Sequence, residues 1–236
     1  MALYPQLSII IPVAPGDTTW RELLPDLQPV LQEGGEVLLV SPEPPPDRAA
    51  NTQAVKWIVS ASGRAQQMNA GAGHSSRQWL WFLHADSRLD PTTLPALHSI
   101  IAGEHEPRLW YFRLEFLADG SALMPITAFG AWLRSRYGGM PFGDQGFLLP
   151  RSLFQQVGGY DETAPYGEDH LLAWAVRQHG FSLGWSGGTI RTSARKYRQQ
   201  GWLRTSTRHG LLTIRQAVPQ YLKWRSTQRN SKRSLP

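Results

Sequence analysis

Several short segments of this 236-residue chain carry side chains that could do chemistry. In Phe82-Leu83-His84-Ala85-Asp86 a carboxylate follows directly on an apolar run. Such a carboxylate can hold Mg²⁺ or Mn²⁺ against a diphosphate, whose own oxygens supply the remaining hard ligands. Taken alone, Asp86 is equally an ordinary turn residue ahead of Asp90-Pro91. In GRAQQMNAGA, residues 63–72, Gly63 permits a turn and Arg64 offers a bidentate phosphate donor. The helix start there offers free backbone N–H groups. Asn69 is expected to face the same site one turn later. An ordinary strand-to-helix connection with a solvent-facing arginine would look the same. Gly71-Ala72-Gly73 is no dinucleotide fingerprint, because no third glycine completes it and it ends a helix.

Three further segments lie downstream. Residues 137–151, YGGMPFGDQGFLLPR, surround Asp144 and Gln145 with glycines, Gly143 among them, and this lets backbone approach a ligand closely. A long surface loop has the same composition. GEDHLL, residues 167–172, opens a helix with Glu168 and Asp169. Acids there stabilise the helix dipole without any further role; alternatively Asp169 is a general base for an acceptor hydroxyl. SARKY, residues 193–197, places Arg195 and Lys196 where they could close over a diphosphate, or simply form a solvated basic loop.

These residues need a scaffold. Leu7–Val13, Glu36–Val40, Val55–Val59 and Trp79–His84 read as strands, and the last lacks polar alternation, as a central strand covered on both faces does. Helices are expected from Asp17 to Gln32, from Ala65 to Ala72, and from an Asp90-Pro91 start to Ala102. Pro25 and Pro29 predict that the first of these is short or broken. The alternation implies a doubly wound, mainly parallel α/β sheet with ligands beyond Val13, Val40, Val59 and His84. Further on, strands are expected at Leu109–Phe116, Phe147–Leu149 and Phe181–Trp185. Helices are expected at Leu123–Arg136, Ser152–Val157 and Glu168–His179, the last closed by Gly180. A final helix is expected over Trp202–Trp224. Residues 1–200 are read as one domain and 201–236 as a basic amphipathic helix and tail.

The bulk composition is that of a globular chain, with 41% hydrophobic and 18% charged residues and no cysteine, so no disulfide or thiolate metal site is possible. The N-terminal segment has no basic start and an apolar run too short for a signal peptide, and no stretch reads as a membrane span. A cytoplasmic protein is expected. The net charge of +6 is unevenly placed: from His170 to Pro236 there are 13 Lys/Arg and no acid. Phosphates, anionic lipid or nucleic acid would be drawn to that positive field.

GRAQQMNAGA, FLHAD, GDQG and the acidic pair, in this order, resemble family 2 glycosyltransferases with the GT-A fold. More narrowly they look like the bacterial subgroup named after a proposed role in arsenosugar biosynthesis. The resemblance runs from about Leu7 to Tyr197. It implies an inverting transfer from a nucleotide-diphosphate sugar to an acceptor hydroxyl, with Mg²⁺ or Mn²⁺ at Asp86 and Asp169 as base. It places Arg64 and Asn69, and more weakly Arg195, on the donor, and Gly143, Asp144 and Gln145 in an acceptor-facing loop. Gly63 belongs to the donor segment.

Several positions depart from that pattern. His84 stands where many members have the first acid of the metal motif. The loop Ala14-Pro15-Gly16 lacks an acid. Ser41 stands where an acid usually holds the nucleobase, so Ser41 is the remaining candidate there. A non-catalytic domain of the same fold is the main rival reading. A nucleotidyltransferase would need a Gly- and Arg/Lys-rich loop after the first strand, which Ala14-Pro15-Gly16-Asp17 is not. The 10 Trp fall largely inside expected strands and helices, where core packing, rather than nucleic-acid stacking, uses them. On the last helix Leu203, Leu211, Ile214, Val218 and Leu222 share one face. That face either packs on the domain or, with Arg204, Arg208 and Arg215 nearby, lies on an anionic membrane beside a lipid-linked acceptor.

Overall fold

A computed structural model describes residues 3–47 and 52–233, with side chains through Ser226. The last three residues of the expected tail lie outside the described residues. Eight strands form one sheet: β1 (Leu7–Pro12), β2 (Glu36–Ser41), β3 (Val55–Val59), β4 (Trp79–Phe82), β5 (Ser87–Leu89), β6 (Arg108–Phe116), β7 (Phe147–Pro150) and β8 (Ser182–Thr192). Their order is β3-β2-β1-β4-β7-β6-β8-β5. The first four run parallel. β7 then pairs antiparallel with both β4 and β6, while β6 and β8 run parallel. The sheet is therefore mixed, and its regular α/β half matches the alternation expected from the sequence.

The helices are α1 (Trp20–Gln32), α2 (Arg64–His74), α3 (Thr93–Ala102), α4 (Met124–Gly138), α5 (Arg151–Gln156), α6 (Glu168–Gln178), α7 (Arg195–Gln200) and α8 (Trp202–Arg233). They cover both faces of the sheet, which explains the uninterrupted apolar strands. Ile9 and Ile11 of β1 point into a core with Trp20, Leu23 and Leu27 of α1, Leu97 of α3 and Trp81. Ile10 points the other way, into a core with Met68 of α2, Phe154 of α5 and Leu172 of α6.

Several sequence expectations are revised. α1 is continuous despite Pro25 and Pro29. Each interior proline costs about 3 kcal/mol. Burial of Trp20, Leu23, Leu27 and Val30 on the opposite side returns about 1.5–3 kcal/mol per side chain and holds the helix. Asp90 does not cap α3 directly: it accepts from the N–H and hydroxyl of Thr92, and the helix begins at Thr93. Sequence reading missed β5, whose Arg88 Nε lies 2.7 Å from Asp26 Oδ2 of α1. β8 is eleven residues long and not the five expected, because pairing with β6 continues past a bulge at Tyr111 and Arg113. α8 runs through Pro219 to Arg233 and does not stop at Trp224. The break ahead of α8 falls at Gly201, where φ is +83°.

One contact sets how α2 presents its start to the sheet. A Cβ on Gly71 would lie 2.5 Å from Ile10 Cγ2 and 3.1 Å from Val40 Cγ2, so the helix sits directly on β1 and β2. Gly71→Val should cost about 1–3 kcal/mol by overpacking and lower Tm by roughly 2–12 °C. Gly73, with nothing within 4 Å of its Cβ position, serves as the control: Gly73→Ala should stabilise by about 0.5–1 kcal/mol. Thermal unfolding of the two variants checks this, and equal behaviour would rule out the tight seat at Gly71.

Candidate active site

One cleft of about 820 Å³ opens at the carboxyl ends of β1 and β4. Its walls come from the loops after β1, β3 and β4, from the loop before β7, from the start of α6, and from α7 and α8. Of the residues singled out from the sequence, Gly63, Arg64, Asp86, Gly143, Asp144, Asp169 and Arg195 line it. Ser41, Asn69 and Gln145 do not.

The three absentees have local work. Ser41 is buried at the end of β2, and its hydroxyl accepts from the Glu43 N–H. Asn69 faces away from the cleft, against the expectation that it turns toward it. Its Nδ2 donates to Tyr160 O and to Glu162 Oε1, and its Oδ1 accepts from the Tyr160 N–H. It pins the Gly158–Glu162 loop to α2. Gln145 is buried: Oε1 accepts from Ser135 Oγ and the Phe142 N–H, and Nε2 donates to Phe112 O. It locks the Gly143 loop against β6 and α4 and leaves the cleft wall to its two predecessors.

Asp169 lines the cleft from the start of α6. Its Oδ2 lies 3.8 Å from Arg64 Nη1 and 3.8 Å from His84 Nε2, and its Oδ1 is buried with no hydrogen-bond partner. Burial pushes this carboxyl up, but His84, Arg64 and the Gly143 N–H outweigh it and hold it below the usual carboxylate range. Gly143 must be glycine for this: a Cβ there would stand 2.2 Å from Asp169 Oδ2. Arg64 also lies 3.6 Å from Glu168 Oε1, so in this state it bridges the acidic pair. His84 points at Asp169, and its Nε2 has no hydrogen-bond partner.

Asp144 has the opposite balance. Burial pushes its carboxyl up; Arg134 and His84 oppose that, while Asp169 and Asp86 add to it, and the net is a raised value. Its Oδ1 is buried without a partner. Behind it Arg134 of α4 is stacked over Phe142, 3.5 Å from the ring centre, and donates to Met140 O.

The Asp86 carboxylate makes no hydrogen bond or ion pair among the described residues and lines the cleft. A free carboxylate beside the unsatisfied Asp144 oxygen suits a hard divalent cation. Among the described residues, however, no group of three or more His, Asp or Glu side chains is placed to hold one. Asp86 would be the main protein ligand, and a bound diphosphate would have to complete the coordination.

Cations line the cleft as well. Arg195, Lys196 and Arg208 line the cleft beside Tyr197 and His209. Asp119 holds this wall in place: it accepts from Ser193 Oγ and the Ala194 N–H, just ahead of α7. α8 is anchored by Gln216, which accepts from His170 Nδ1 and donates to Tyr166 O. Sequence reading missed Gln67, whose Nε2 donates to both Val13 O and Val40 O and so stitches the ends of β1 and β2. It also missed Asp17 as a wall residue; that side chain accepts from the Thr19 N–H and hydroxyl. The only available signal was position after a strand, and the acid comes three residues later than the pattern leads one to look.

No protein-family model matches the chain, and no curated protein matches it in sequence. Solved structures do match in fold. One is Staphylococcus aureus TarS in complex with UDP-GlcNAc, with a TM-score of 0.60 and 16% identity over 80% of this chain and 58% of that one. Another is the mannosyltransferase PcManGT from Pyrobaculum calidifontis in complex with GDP-Man and Mn²⁺, with a TM-score of 0.57 and 12% identity over 79% and 56%. The fold is GT-A, an α/β fold with a helical C-terminal extension. The chain spans a little over half the length of these structures.

Asp169 and Asp144 predict opposite pH behaviour. For Asp169, lowered in the fold, the stabilisation is present above the usual carboxylate range and is lost as pH falls through and below it. Asp169→Asn should therefore be less stable than wild type at pH 7, with the gap closing below about pH 4. Asp144, raised in the fold, contributes most when protonated and loses that contribution as pH rises. Asp144→Asn should gain on wild type as pH climbs above about 4. Thermal unfolding across pH reads both, and parallel curves would contradict the opposed environments.

Proposed function

We propose that this chain is an inverting, metal-assisted family 2 glycosyltransferase, transferring a hexosyl group from a nucleotide-diphosphate sugar to an acceptor hydroxyl. The observation that carries the reading is the meeting, in one cleft at the strand ends of a GT-A sheet, of an unpaired carboxylate (Asp86), an ionised buried carboxylate (Asp169) and a cationic wall. The resemblance in fold to the TarS structure and to a mannosyltransferase, and the nucleotide sugars bound to them, support it. The narrower likeness to the arsenosugar-type subgroup rests on motif order alone. A cytoplasmic site of action is part of the same proposal.

In the reaction, the acceptor oxygen bonds to the anomeric carbon from the face opposite the diphosphate. The bond to the diphosphate oxygen breaks, and the acceptor proton passes to Asp169. Asp169 is suited to this because it is already ionised and has one oxygen without a donor; a hydroxyl would supply that donor. Gly143 allows the carboxylate its position, and His84 and Arg64 keep it charged. Asp86 would hold Mg²⁺ or Mn²⁺, which when bound neutralises charge on the leaving diphosphate. Arg195, with Lys196 and Arg208, would meet the same charge. Arg64 would have to loosen its contact with Glu168 to share in this. Gly63, Arg64, Asp86 and Arg195 are the donor-side residues, and Gly143 and Asp144 face the acceptor. Ser41, Asn69 and Gln145 act through the loops they hold. The basic α8 is an extension that completes the cleft wall.

Two measurements test the reading. In thermal unfolding with a nucleotide-sugar panel, one nucleotide family should raise Tm by about 5–10 °C at ligand near 100 times Kd. The rise should require Mn²⁺ or Mg²⁺ and disappear in Asp86→Ala. In a transfer assay with the donor so found, Asp169→Asn should lower turnover by about 10²–10⁴-fold while donor binding persists. Donor binding without turnover in wild type, over a broad acceptor panel, would favour a non-catalytic domain. No response to any donor would overturn the proposal.

A further inference from the structure

Two helices turn their apolar sides away from the protein. On α8, Leu203, Leu211, Ile214, Val218 and Leu222 are 51–70% exposed. The inward side is held largely by polar groups, with Trp202, Leu212 and Trp224 half-buried among them: Thr205 is buried, Gln216 bonds to His170 and Tyr166, and Gln220 accepts from Gln178. This reverses the usual arrangement of a surface helix, whose apolar stripe faces the core. α4 repeats it. Met124, Ala131 and Ser135 point inward, while Ile126, Phe129, Leu133 and Tyr137 are 41–74% exposed. The two helices are neighbours. Trp202 Nε1 at the start of α8 donates to Thr127 Oγ1 of α4. Near the far end of α4, Arg177 donates to Gly139 O and lies over the Trp224 ring of α8.

Charge selects the occupant. Trp202–Arg233 carries eight Lys/Arg and no acid, and Met124–Gly138 carries two Arg and no acid. From the exposed apolar faces and this one-signed charge we infer that α4 and α8 together form a docking face for an anionic phospholipid bilayer. The aliphatic and aromatic side chains enter the boundary between headgroups and acyl chains. Arg204 and Arg215, on the edge of the α8 stripe, reach the phosphates. No helix among the described residues is long and apolar enough to cross a membrane, so the contact lies in the surface plane. A second copy is the poorer occupant, because pairing two such faces sets like charges against each other.

The placement has a consequence that rests on the proposed transfer. Arg208, Leu212 and Gln216 of α8 line the cleft, while Leu211 and Ile214 face outward from the same turns. The cleft therefore lies about one helix diameter, roughly 10 Å, from the bilayer. An acceptor alcohol anchored in that leaflet would reach Asp169 without leaving the membrane surface.

Vesicle flotation of the full chain tests the docking face. Phosphatidylcholine vesicles containing phosphatidylglycerol should carry the protein. Pure phosphatidylcholine, or high salt, should weaken binding roughly tenfold or more. Two variants, Phe129→Ser with Leu133→Ser on α4 and Leu211→Ser with Ile214→Ser on α8, should each weaken binding to the anionic vesicles by a similar factor. Because these side chains are exposed, both variants should keep the wild-type Tm. They should also keep the donor-induced Tm shift, so failure of docking and failure of the transferase reading are separable. The inference is overturned if wild type stays unbound with anionic vesicles at low salt, or if both variants bind as wild type does. It is also overturned if the substitutions instead abolish a wild-type dimer seen in light scattering while vesicles remain bare.

Discussion

A carboxylate buried in a cleft stays ionised only if the protein supplies compensating charge, and much of this architecture serves that need at Asp169. Burial alone would neutralise the group. The compensation arrives from three separate elements: Arg64 at the start of α2, His84 after β4, and the Gly143 N–H ahead of β7. These are far apart in sequence and meet because β3 and β4 run parallel and deliver their carboxyl ends to one edge, where the antiparallel β7 begins. The seat leaves no room for a Cβ at Gly143. Neither is there room at Gly167, where α6 begins with φ of +67° and Gln216 of α8 would occupy the same space. The charge state of one side chain thus fixes the closeness of four segments.

The residues around it divide into those that face a ligand and those that make facing possible. Gln67 ties β1 to β2, Asn69 ties α2 to the loop before α6, and Gln145 ties the Gly143 loop to β6 and α4. Asn69 and Gln145 use both ends of their amides and Gln67 spends its Nε2 on two carbonyls, which fits positions where a charge would be expensive and an unpaired polar group costly. Arg134 extends the pattern with a charge. It stacks on Phe142 and stands behind Asp144, offsetting part of the repulsion among Asp144, Asp169 and Asp86. The acids Asp144 and Asp86, in one cleft with Arg195, Lys196 and Arg208, are an electrostatic arrangement that a metal-bound diphosphate would complete.

The regular half of the fold was legible because its signals are local. Apolar runs such as Leu7–Val13 and a carboxylate just past a strand are readable one segment at a time. The sheet order beyond β4 was not, since β7 enters antiparallel between β4 and β6 through pairing no local pattern encodes. Pro25 and Pro29 misled for a related reason: propensity is local, whereas the burial that overrides it is tertiary. The candidate cleft was legible in outline, since Asp86, Asp169 and Gly143 all line it. Asn69 was misplaced because spacing on a helix gives a direction without telling what lies there. Gln67, two residues earlier, is the side chain that reaches the strand ends, and glutamine carries no signal of reactivity. His84 was read only as standing in place of a metal-motif acid; its orientation toward Asp169 depends on a helix 85 residues later.

α8 shows a different limit of periodicity. Its apolar stripe is plain in the sequence, but a stripe has no sign: the same pattern serves a helix buried on its domain and one facing lipid. What decides is the opposite side, and there the polar residues are engaged. Gln216 and Gln220 form specific bonds to α6 and its leading loop, while Arg208 and Leu212 form cleft wall. Rotating α8 to bury its leucines would break those bonds and remove that wall. α4, with an outward stripe of its own and hydrogen-bonded to the start of α8, makes the orientation a property of the surface and not of one helix. In the proposed docking, a single helix that is cleft wall on one side and apolar on the other would link where the protein sits to what can enter its site. An acceptor held in the same bilayer would search two dimensions instead of three, with positioning of the kind that accelerates a two-substrate reaction largely supplied before the acceptor reaches the cleft.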